Sequence, residues 1–320
     1  MNQRVPLFRR VRLWLRRHEE KPGDKNVRHQ IVDEHFQSNA ELWKSVYQKH
    51  TLNRIIDQYP QRATLHIIAE LNLPRGSHVL VIGSGARILA VVLAQRDYIV
   101  NAIDRLRAAL DLIDHCAIEV GLQERIITSI GDVHALDFKD QSFDLVLALK
   151  VIPWLQSPRP ALMEMLRVLK PGGYAIISVE NRWRLNHILD PRFSPMLSAI
   201  FETVNYIGET LKLKKPAVRA SFPLSHSIKE FETILDSIGL NKSGGMTLGF
   251  GPFTLMGKRI LPNSMGKKIH HFFQSMADRN VPGIRSTGSR YLVLAQKPDP
   301  VPRPKFGRDE PFIENERHNN

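Results

Sequence analysis

A glycine pair that follows an apolar run is the first feature of this chain that suits chemistry. The run Val79–Ile82 leads into Gly83, Ser84 and Gly85, and an apolar stretch with helical spacing follows. A strand that enters a glycine turn and then a helix lets the backbone approach a ligand closely and presents free N–H groups at the helix N-terminus. The arrangement predicts a cofactor site in which these three turn residues contact the ligand.

Two carboxylates follow at the ends of later apolar runs. Asp104 lies 21 residues after Gly83, where a carboxylate accepts hydrogen bonds from both hydroxyls of a ribose. The same residue also suits an N-cap for the next helix. Asp132 is placed to accept a hydrogen bond from an adenine amino group, although an Asp in a loop also suits an ordinary turn. These spacings predict an adenosine-containing cofactor, and the candidate contacts are Asp104, Arg105, Asp132, Val133 and Leu149.

The elements that must position these residues alternate between strand and helix patterns from residue 79 to 179. The carboxyl ends of parallel strands meet at one edge of a sheet, so Leu149, at the end of the fourth run, faces the same crevice as the glycine turn. The pattern predicts an α/β fold with a doubly wound, Rossmann-like, mostly parallel sheet. The predicted strands are Val79–Ile82, Tyr98–Ile103, Ile126–Ser129, Phe143–Leu149 and Tyr174–Val179, and the predicted helices between them are Ala86–Gln95, Leu106–Val120 and Pro160–Leu169.

Five motifs in this order resemble those of the class I S-adenosylmethionine-dependent methyltransferases, and the resemblance is nearest to the branch that contains the ubiquinone and menaquinone biosynthetic enzymes. It covers residues 76–180 in detail and extends loosely to 297. It implies S-adenosyl-L-methionine as the cofactor, a helix at 228–238 and a last strand, Tyr291–Gln296, that inserts antiparallel. The motifs are Gly83-x-Gly85, the strand-end Asp104, Gly131-Asp132, Ser142-Phe143-Asp144-Leu145-Val146 and Arg167-Val168-Leu169-Lys170-Pro171-Gly172-Gly173.

Two positions depart from the family pattern. The family usually has an acidic residue where Val81 stands and a third glycine where Arg87 stands. The acidic residue helps to hold the glycine turn and the methionine end of the cofactor, so its loss puts tight cofactor binding in doubt. Arg87 either reaches toward a carboxylate or points into solvent from the first turn of its helix.

We expect methyl transfer to a small-molecule or lipid-like acceptor, at oxygen rather than at carbon or nitrogen. An in-line displacement at the methyl carbon depends mainly on alignment in a desolvated pocket, and a hydroxyl acceptor also benefits from a general base. His134, just after the Gly131-Asp132 loop, is the candidate catalytic residue, and His187 and His226 are further candidates. A surface or packing role suits each of these histidines as well. Lys150, at the end of the fourth strand, either lines the pocket or faces water.

Three alternatives have some support in the sequence. A nicotinamide dehydrogenase would need a third glycine where Ile88 stands, and the Pro171-Gly172-Gly173 turn fits it poorly. An RNA methyltransferase suits the positive charge of the chain. No Asn-Pro-Pro-Tyr-like motif follows the fourth strand, which argues against base methylation but leaves ribose methylation open. A non-catalytic scaffold with the cofactor fold stays open because of Val81 and Arg87.

Outside the alternating core, the chain divides into an arm, added helical parts and a tail. Residues 1–28 are predicted to form a basic amphipathic arm and linker, and residues 29–297 to form a methyltransferase domain. We expect the acceptor pocket to come from a helical N-terminal region, 29–72, and from insertions at 181–220 and 249–285. The proline-rich, charged residues 298–320 predict a disordered tail.

Charge and cysteine content restrict the partners and the location. The 320 residues carry a formal net charge of +13 and a single cysteine, Cys116. One cysteine allows no internal disulfide and no multi-cysteine zinc site, so we predict a cytoplasmic protein without a metal. Residues 1–18 hold six arginines and no acidic residue. This arm suits either an anionic membrane surface or a solvated basic segment, and nucleic acid is the less favoured partner.

Overall fold

The computed structural model describes residues 52–83, 87–188, 223–255 and 258–299, together with residues 190, 194 and 203. The predictions for the basic arm, for residues 29–51, for most of the insertion at 181–220 and for the tail beyond residue 299 therefore lie outside the described residues. Ser84 and Gly85 lie outside them as well. Within the described residues, no helix has the length and apolar character that crossing a bilayer requires.

Six α-helices and ten β-strands form within the described residues, and strand and helix alternate through the first half of this part of the chain. The helices are α1 (Leu52–Leu71), α2 (Arg87–Gln95), α3 (Arg107–Glu119), α4 (Pro158–Val168), α5 (Ile228–Ile238) and α6 (Asn263–Asp278). The strands are β1 (His78–Ile82), β2 (Ile99–Asp104), β3 (Ile126–Ile130), β4 (Phe143–Ala148), β5 (Leu169–Asn181), β6 (Ser225–His226), β7 (Asn241–Leu248), β8 (Thr254–Leu255), β9 (Lys258–Arg259) and β10 (Arg290–Gln296).

Eight of these strands form one mixed sheet in the order β3-β2-β1-β4-β5-β10-β7, with β6 paired to β5. Strand β1 pairs in parallel with both β2 and β4, so the order of strands reverses between β1 and β4. In open α/β sheets, ligands bind at this reversal point, outside the carboxyl ends of the strands. The predicted doubly wound, mostly parallel sheet is confirmed, and its ligand-binding edge lies where β1 and β4 end.

Alternate residues of β1 pack into two separate apolar cores, because successive side chains of a strand point to opposite faces. Val79 and Val81 pack with residues of α1, α2 and α3 on one face. Leu80 and Ile82 pack with residues of α4 and α5 on the other. Since helices cover both faces, the central parallel strands are buried throughout, which explains why they are continuous apolar runs in the sequence.

Strand β10 inserts antiparallel between β5 and β7, which confirms the predicted antiparallel last strand. Strand β7 has no counterpart among the predicted strands. Its first residues, 241–245, are polar or glycine, and they lack the apolar alternation of a strand. Most of β7 is exposed or half-buried because it forms an edge of the sheet. Its strand conformation therefore depends on hydrogen bonds to β10 rather than on its own side chains.

Strand β5 begins at Leu169, before the predicted start at Tyr174. Its pairing with β4 shifts between Phe143 and Leu145, so Pro171-Gly172-Gly173 forms a bulge within the strand rather than a turn ahead of it. A Cβ on Gly173 would lie 2.9 Å from a backbone carbonyl oxygen, which is closer than real Cβ atoms come. The bulge therefore requires glycine at that position.

The predicted helix at 228–238 is confirmed as α5, and a capping box begins it. Oγ of Ser227 accepts a hydrogen bond from the Glu230 N–H at 3.2 Å, and the Glu230 carboxylate accepts one from the Ser227 N–H at 3.3 Å. Helix α6 corresponds to the helical pattern inside the insertion at 249–285. Helix α1 forms the described part of the predicted helical region at 29–72.

Candidate active site

The glycine turn after β1 brings the backbone against the exit of β4. Gly83 has a φ of +84°, and its N–H donates a hydrogen bond to the carbonyl oxygen of Ile103 on β2 at 2.8 Å. A Cβ at this position would lie 2.8 Å from Cγ2 of Val151, which follows β4. Gly83 is therefore required both by its left-handed backbone and by a close contact at the reversal point of the sheet.

Asp104 is the last residue of β2, one residue beyond the predicted end of that strand. Its Oδ1 accepts a hydrogen bond from the Leu106 N–H at 2.9 Å, which holds the carboxylate at the strand end. Helix α3 has Leu106 as its N-cap and no side-chain cap, so the alternative role of Asp104 as an N-cap is not what the structure shows. The carbonyl oxygen of Asp104 accepts a hydrogen bond from the Gly131 N–H at 3.1 Å, which joins the loops after β2 and β3.

Asp132 and His134 form a hydrogen-bonded pair in the loop after β3. Oδ1 of Asp132 accepts a hydrogen bond from the His134 N–H at 2.9 Å and lies 2.8 Å from the ring Nδ1, which must carry the proton in order to donate to a carboxylate. Burial acts to raise the pKa of Asp132. The bonds from His134 and the nearby charge of Arg105 outweigh burial, so the pKa lies below its ordinary value. Val133, between the two partners, is buried.

The exit of β4 adopts a backbone conformation that is uncommon for residues other than glycine. Lys150 follows the buried Leu149 and has a φ of +61°. Its N–H donates a hydrogen bond at 2.8 Å to Oγ of Ser178, a buried residue of β5. Backbone strain of this kind is found most often at ligand sites. The bond that Lys150 donates to Ser178 holds Lys150 where β4 leaves the sheet, next to Val151, which lies against the glycine turn.

His226 lies beyond the end of β4, on the side of the crevice opposite to His134. Its strand, β6, pairs with the last two residues of β5, and Glu180 pairs with Arg290 of β10 on the other side of β5. Strand β6 therefore occupies the position next to β5 that β4 has left. The Leu224 N–H donates a hydrogen bond to the carbonyl oxygen of Pro153 at 2.7 Å and ties this segment to the loop after β4.

The ring of His226 is buried, with 7% of the residue exposed. Burial lowers its pKa, against the opposing effect of the Glu230 carboxylate, so the ring is neutral near pH 7. Among the described residues, Nδ1 of His226 has no hydrogen-bond partner. A buried ring nitrogen without a partner usually marks the position of a water molecule or a ligand.

A charged cluster closes the sheet edge beside this histidine. Glu180 accepts hydrogen bonds from Arg184 at 2.6 Å and from Arg290 at 3.1 Å, and all three side chains are more than four-fifths buried. Burial lowers the pKa of Arg184, and Glu180 opposes that effect. The buried amide of Asn181 donates to two carbonyl oxygens of residues 286 and 288, both at 2.8 Å. These bonds fix the end of β5 against the start of β10.

The structure divides the sequence-predicted residues between two sides of the crevice. Asp104, Asp132 and His134 follow β2 and β3, whereas Leu149 and His226 lie at β4 and β5. Neighbouring strands are about 4.8 Å apart, so the ends of β3 and β4 are roughly 14 Å apart.

The remaining candidate positions are one residue buried in the core and two residues whose side chains lie outside the described residues. Val81 is buried in the apolar core on the α1–α3 side, at the position where the family usually has an acidic residue. The side chains of Arg87 and His187 lie outside the described residues, although their backbones begin α2 and end a short 3-10 turn. No group of three or more His, Cys, Asp or Glu side chains within the described residues could hold a metal ion.

Val151 and Ser178 are the site residues that sequence reasoning missed. Val151 carries no local signal, because its contact with Gly83 exists only when β1 and β4 are neighbours. Ser178 does carry one: it is a polar residue inside the apolar run of β5, and a buried hydroxyl needs a partner.

Residues 80–177, from β1 into β5, match a protein family described as a methyltransferase domain. A segment of 111 residues is 31% identical to the ubiquinone biosynthesis O-methyltransferase of Rickettsia conorii, over 35% of this chain and 37% of that protein. A segment of 151 residues is 27% identical to the biotin biosynthesis bifunctional protein of Teredinibacter turnerae, over 44% of this chain and 26% of that protein. The matches therefore span less than half the length of these two relatives.

A solved structure supports the same fold. The crystal structure of magnesium protoporphyrin IX methyltransferase from Synechocystis with bound SAH has a TM-score of 0.54 at 16% sequence identity, over 84% of this chain and 99% of that one. This similarity concerns the architecture, whereas the family match and the curated relatives concern the sequence of the crevice strands. Residues 80–177 thus match a methyltransferase domain, and a segment of the chain is similar in sequence to proteins named ubiquinone biosynthesis O-methyltransferase.

Proposed function

We propose that the protein transfers a methyl group from S-adenosylmethionine to a hydroxyl oxygen of a small-molecule or lipid-like acceptor. One observation carries the proposal: Gly83 contacts Val151 at the reversal point, with carboxylates on one side and a buried neutral histidine on the other. The first side suits the adenosine part of the cofactor, and the second suits an acceptor that must lose a proton.

The residues present fit this cofactor. The left-handed turn at Gly83 leaves no room for a side chain, so backbone can lie against the ligand. We assign the ribose hydroxyls to the carboxylate of Asp104 and the adenine amino group to Asp132, whose low pKa keeps it an acceptor. Val133 and Leu149 are buried and supply apolar contacts for the adenine ring. Ser84, Gly85 and Arg105 complete the proposed set.

The bound cofactor supplies a methyl carbon that is electrophilic because it is attached to a sulfonium. The protein aligns that carbon with the acceptor and excludes water. We propose that Nδ1 of His226 accepts the proton of the acceptor hydroxyl, since the ring is neutral, buried and on the β4–β5 side. His134, which the sequence puts forward as the base, donates to Asp132 instead and positions it for adenine.

Oxygen as the acceptor atom has support from the names of the relatives and from the buried histidine. The curated matches include several proteins named ubiquinone biosynthesis O-methyltransferase, and a buried histidine suits a hydroxyl acceptor better than a carbon acceptor. A cytoplasmic location, with residues 1–18 on an anionic membrane surface, is part of the same proposal and has support from the arginine content of that segment.

Calorimetry with S-adenosylmethionine tests the cofactor assignment. We expect micromolar or tighter binding to the full chain and roughly tenfold weaker binding to Asp104→Ala, because a charge-assisted hydrogen bond is lost. Absence of measurable binding to the unchanged chain would support the scaffold alternative and reject the enzyme.

Labelled methyl groups identify the acceptor. Purified protein is incubated with methyl-labelled cofactor and with separated lipid, small-molecule and RNA fractions of a cell extract. Label in the lipid or small-molecule fraction that survives mild base, unlike a methyl ester, and is released as methyl iodide by hydriodic acid, as from a methyl ether, supports transfer to a hydroxyl oxygen. Label found only in RNA would overturn the assignment in favour of ribose methylation, which the net charge of +13 would suit.

A further inference from the structure

Helix α6 packs on the core through a mixed polar and apolar face and leaves large apolar residues exposed. Its polar residues His270 and Gln274 are buried, whereas Met265 and Phe272 are 50% and 61% exposed. A helix that packs on a core normally turns its apolar stripe inward. Phe273 packs near Phe250 and Phe253, with ring centroids 5.7 and 6.4 Å apart, so α6 contacts the core through a mixed face and turns a second apolar stripe away from it.

The buried polar residues of α6 accept hydrogen bonds from the backbone after β7, which explains why they face inward. Nδ1 of His270 accepts a hydrogen bond from the Phe250 N–H at 3.1 Å, and Oε1 of Gln274 accepts one from the Gly249 N–H at 3.0 Å. Both N–H groups lie just beyond the end of β7, which runs parallel to β5 and so ends at the cofactor edge of the sheet. These bonds fix α6 at that edge.

The outward stripe is continuous along the helix. Met265, Ile269, Phe272 and Met276 are spaced by four, three and four residues, so they fall within about 60° on a helical wheel and extend over roughly 16 Å. Ile269 and Met276 are half-buried beneath the two exposed residues. Ile260, 53% exposed, adds to the apolar surface just ahead of the helix.

Basic residues border the stripe. Lys258 and Arg259 form strand β9 before the helix, and Lys268 lies next to the stripe on the helical wheel, whereas Lys267 lies on the opposite side of the helix. None of these four side chains forms an ion pair with a carboxylate of the described residues. From residue 254 to 280 there are five basic residues and one acidic residue, Asp278, which gives a net charge of 5 − 1 = +4. An exposed apolar stripe with a basic border is typical of helices that lie in a membrane interface.

We propose that α6 and strand β9 form a docking surface for a membrane with anionic lipid headgroups. Phe272 and Met265 enter the boundary between headgroups and acyl chains, and Lys258, Arg259 and Lys268 bind the headgroups. Because α6 is fixed at the cofactor edge, docking brings the crevice to the lipid surface. Delivery of a lipid-like acceptor rests on the proposed function, whereas docking itself does not.

A dye at one position reports directly whether α6 enters the membrane. Cys116→Ser removes the one native thiol, and Phe272→Cys then carries an environment-sensitive dye on the full chain. We expect blue-shifted emission with vesicles of phosphatidylglycerol and phosphatidylcholine, and none with phosphatidylcholine alone. Ile118→Cys, at a residue of α3 that is 65% exposed, is the matched control and should show no shift.

A shift at residue 118 as large as that at residue 272, or no shift at residue 272, would overturn the proposal. A shift at residue 272 that grows with protein concentration in the absence of vesicles would identify a second copy of the chain as the occupant instead, and a shift without vesicles that does not depend on concentration would identify another segment of the same chain. Each outcome either supports docking on lipid or rejects it.

Vesicle flotation measures how much the surface contributes. Met265→Ser with Phe272→Ser should weaken binding to anionic vesicles by roughly tenfold. The matched pair Ile118→Ser with Met163→Ser, at residues 65% and 53% exposed, should leave binding unchanged. Each of Lys258→Gln and Lys268→Gln should weaken binding by roughly fivefold at low salt.

Residues 1–18 could bind the same vesicles and mask the effect. The flotation series is therefore repeated with Arg9, Arg10, Arg16 and Arg17 each changed to Gln. Equal binding by the Met265→Ser/Phe272→Ser variant and its control in both backgrounds would reject the docking surface. Affinity for S-adenosylmethionine, measured on the same proteins, distinguishes a failure of docking from a failure of the proposed function.

Discussion

Gly83 and Val151 meet across the reversal point of the sheet, where a Cβ on Gly83 would lie 2.8 Å from Cγ2 of Val151. One residue ends the first strand, and the other follows the fourth. The contact sets the distance between the two exits that flank the cofactor crevice. Any side chain at Gly83 therefore alters the crevice itself.

Gly83→Ala should weaken cofactor binding by roughly tenfold or more and destabilise the fold by about 2–5 kcal/mol. About 1–2 kcal/mol comes from placing alanine at a positive φ, and about 1–3 kcal/mol comes from overpacking against Val151. Urea unfolding gives the free energy of unfolding, and calorimetry gives the dissociation constant.

Gly121→Ala separates these two costs. Gly121 also has a positive φ, +70°, but no atom lies within 4 Å of the position of its Cβ. The Gly121→Ala protein should lose only the part of the stability that depends on the positive φ, and its affinity for S-adenosylmethionine should be unchanged. Adding Val151→Ala to Gly83→Ala should recover the overpacking part. A Gly83→Ala protein that behaves like Gly121→Ala would contradict the contact.

Asp104→Asn should distinguish the hydrogen bond that this side chain accepts within its own turn from its proposed contact with the cofactor. An asparagine oxygen can still accept the hydrogen bond from Leu106 that Asp104 accepts at 2.9 Å, so the melting temperature should change little. The negative charge is lost, and the dissociation constant for S-adenosylmethionine should rise roughly tenfold. Asp104→Ala should lower both affinity and stability. Wild-type affinity in both variants would exclude Asp104 from the cofactor site.

His226→Gln and His134→Gln should act on different kinetic constants. His226→Gln should lower kcat by roughly 10²- to 10⁴-fold, because a general base is lost. It should leave the affinity for S-adenosylmethionine unchanged. His134→Gln should instead weaken cofactor binding, because Asp132 loses a partner at 2.8 Å. Rates are measured with the acceptor fraction that takes up label. The reverse pattern would establish His134 as the base, as the sequence predicts.

The pH profile adds an independent test. Burial lowers the pKa of His226 from its ordinary value near 6.5, so the ring stays neutral at and above neutral pH. The rate should therefore be flat above about pH 6.5 and fall only as the pH drops through the lowered pKa. A fall that begins near neutral pH would point to a group other than this buried histidine.

His270 should make the fold sensitive to acid. Burial, followed by the nearby charge of His271, lowers the pKa of His270 to about 4. The ring of His270 binds a proton below about pH 6.5 in the unfolded chain, but only near pH 4 in the folded chain. The contribution of the neutral ring to the free energy of unfolding is therefore complete above pH 6.5 and falls as the pH drops toward 4. The loss is about 3 kcal/mol for this group.

His270→Asn keeps an acceptor for the Phe250 N–H and removes the titration. Its free energy of unfolding, followed from pH 7 to pH 4, should fall less steeply than that of the unchanged chain. His115→Asn changes an exposed histidine of α3 and should leave the slope unaltered. Identical slopes in all three proteins would show that His270 is not buried as a neutral ring.

The positions of the cofactor-side residues follow closely from the sequence. Gly83, Asp104 and Asp132 each lie at the end of a short apolar run, and a parallel sheet gathers the ends of such runs at one edge. Strand β7 and the bulge at Pro171-Gly172-Gly173 did not follow, because their side chains carry no strand pattern and their pairing is supplied by distant strands.

The sequence by itself determined the elements of this protein: runs of apolar residues made strands, glycines made turns, and carboxylates stood at strand ends. Only the tertiary structure decided which of these face one another. It placed Val151 against Gly83, joined Lys150 to Ser178, and set His226 beyond β4. The physical reason is that strand and turn preferences are local, whereas the contacts that make a site join residues brought together by the order of strands.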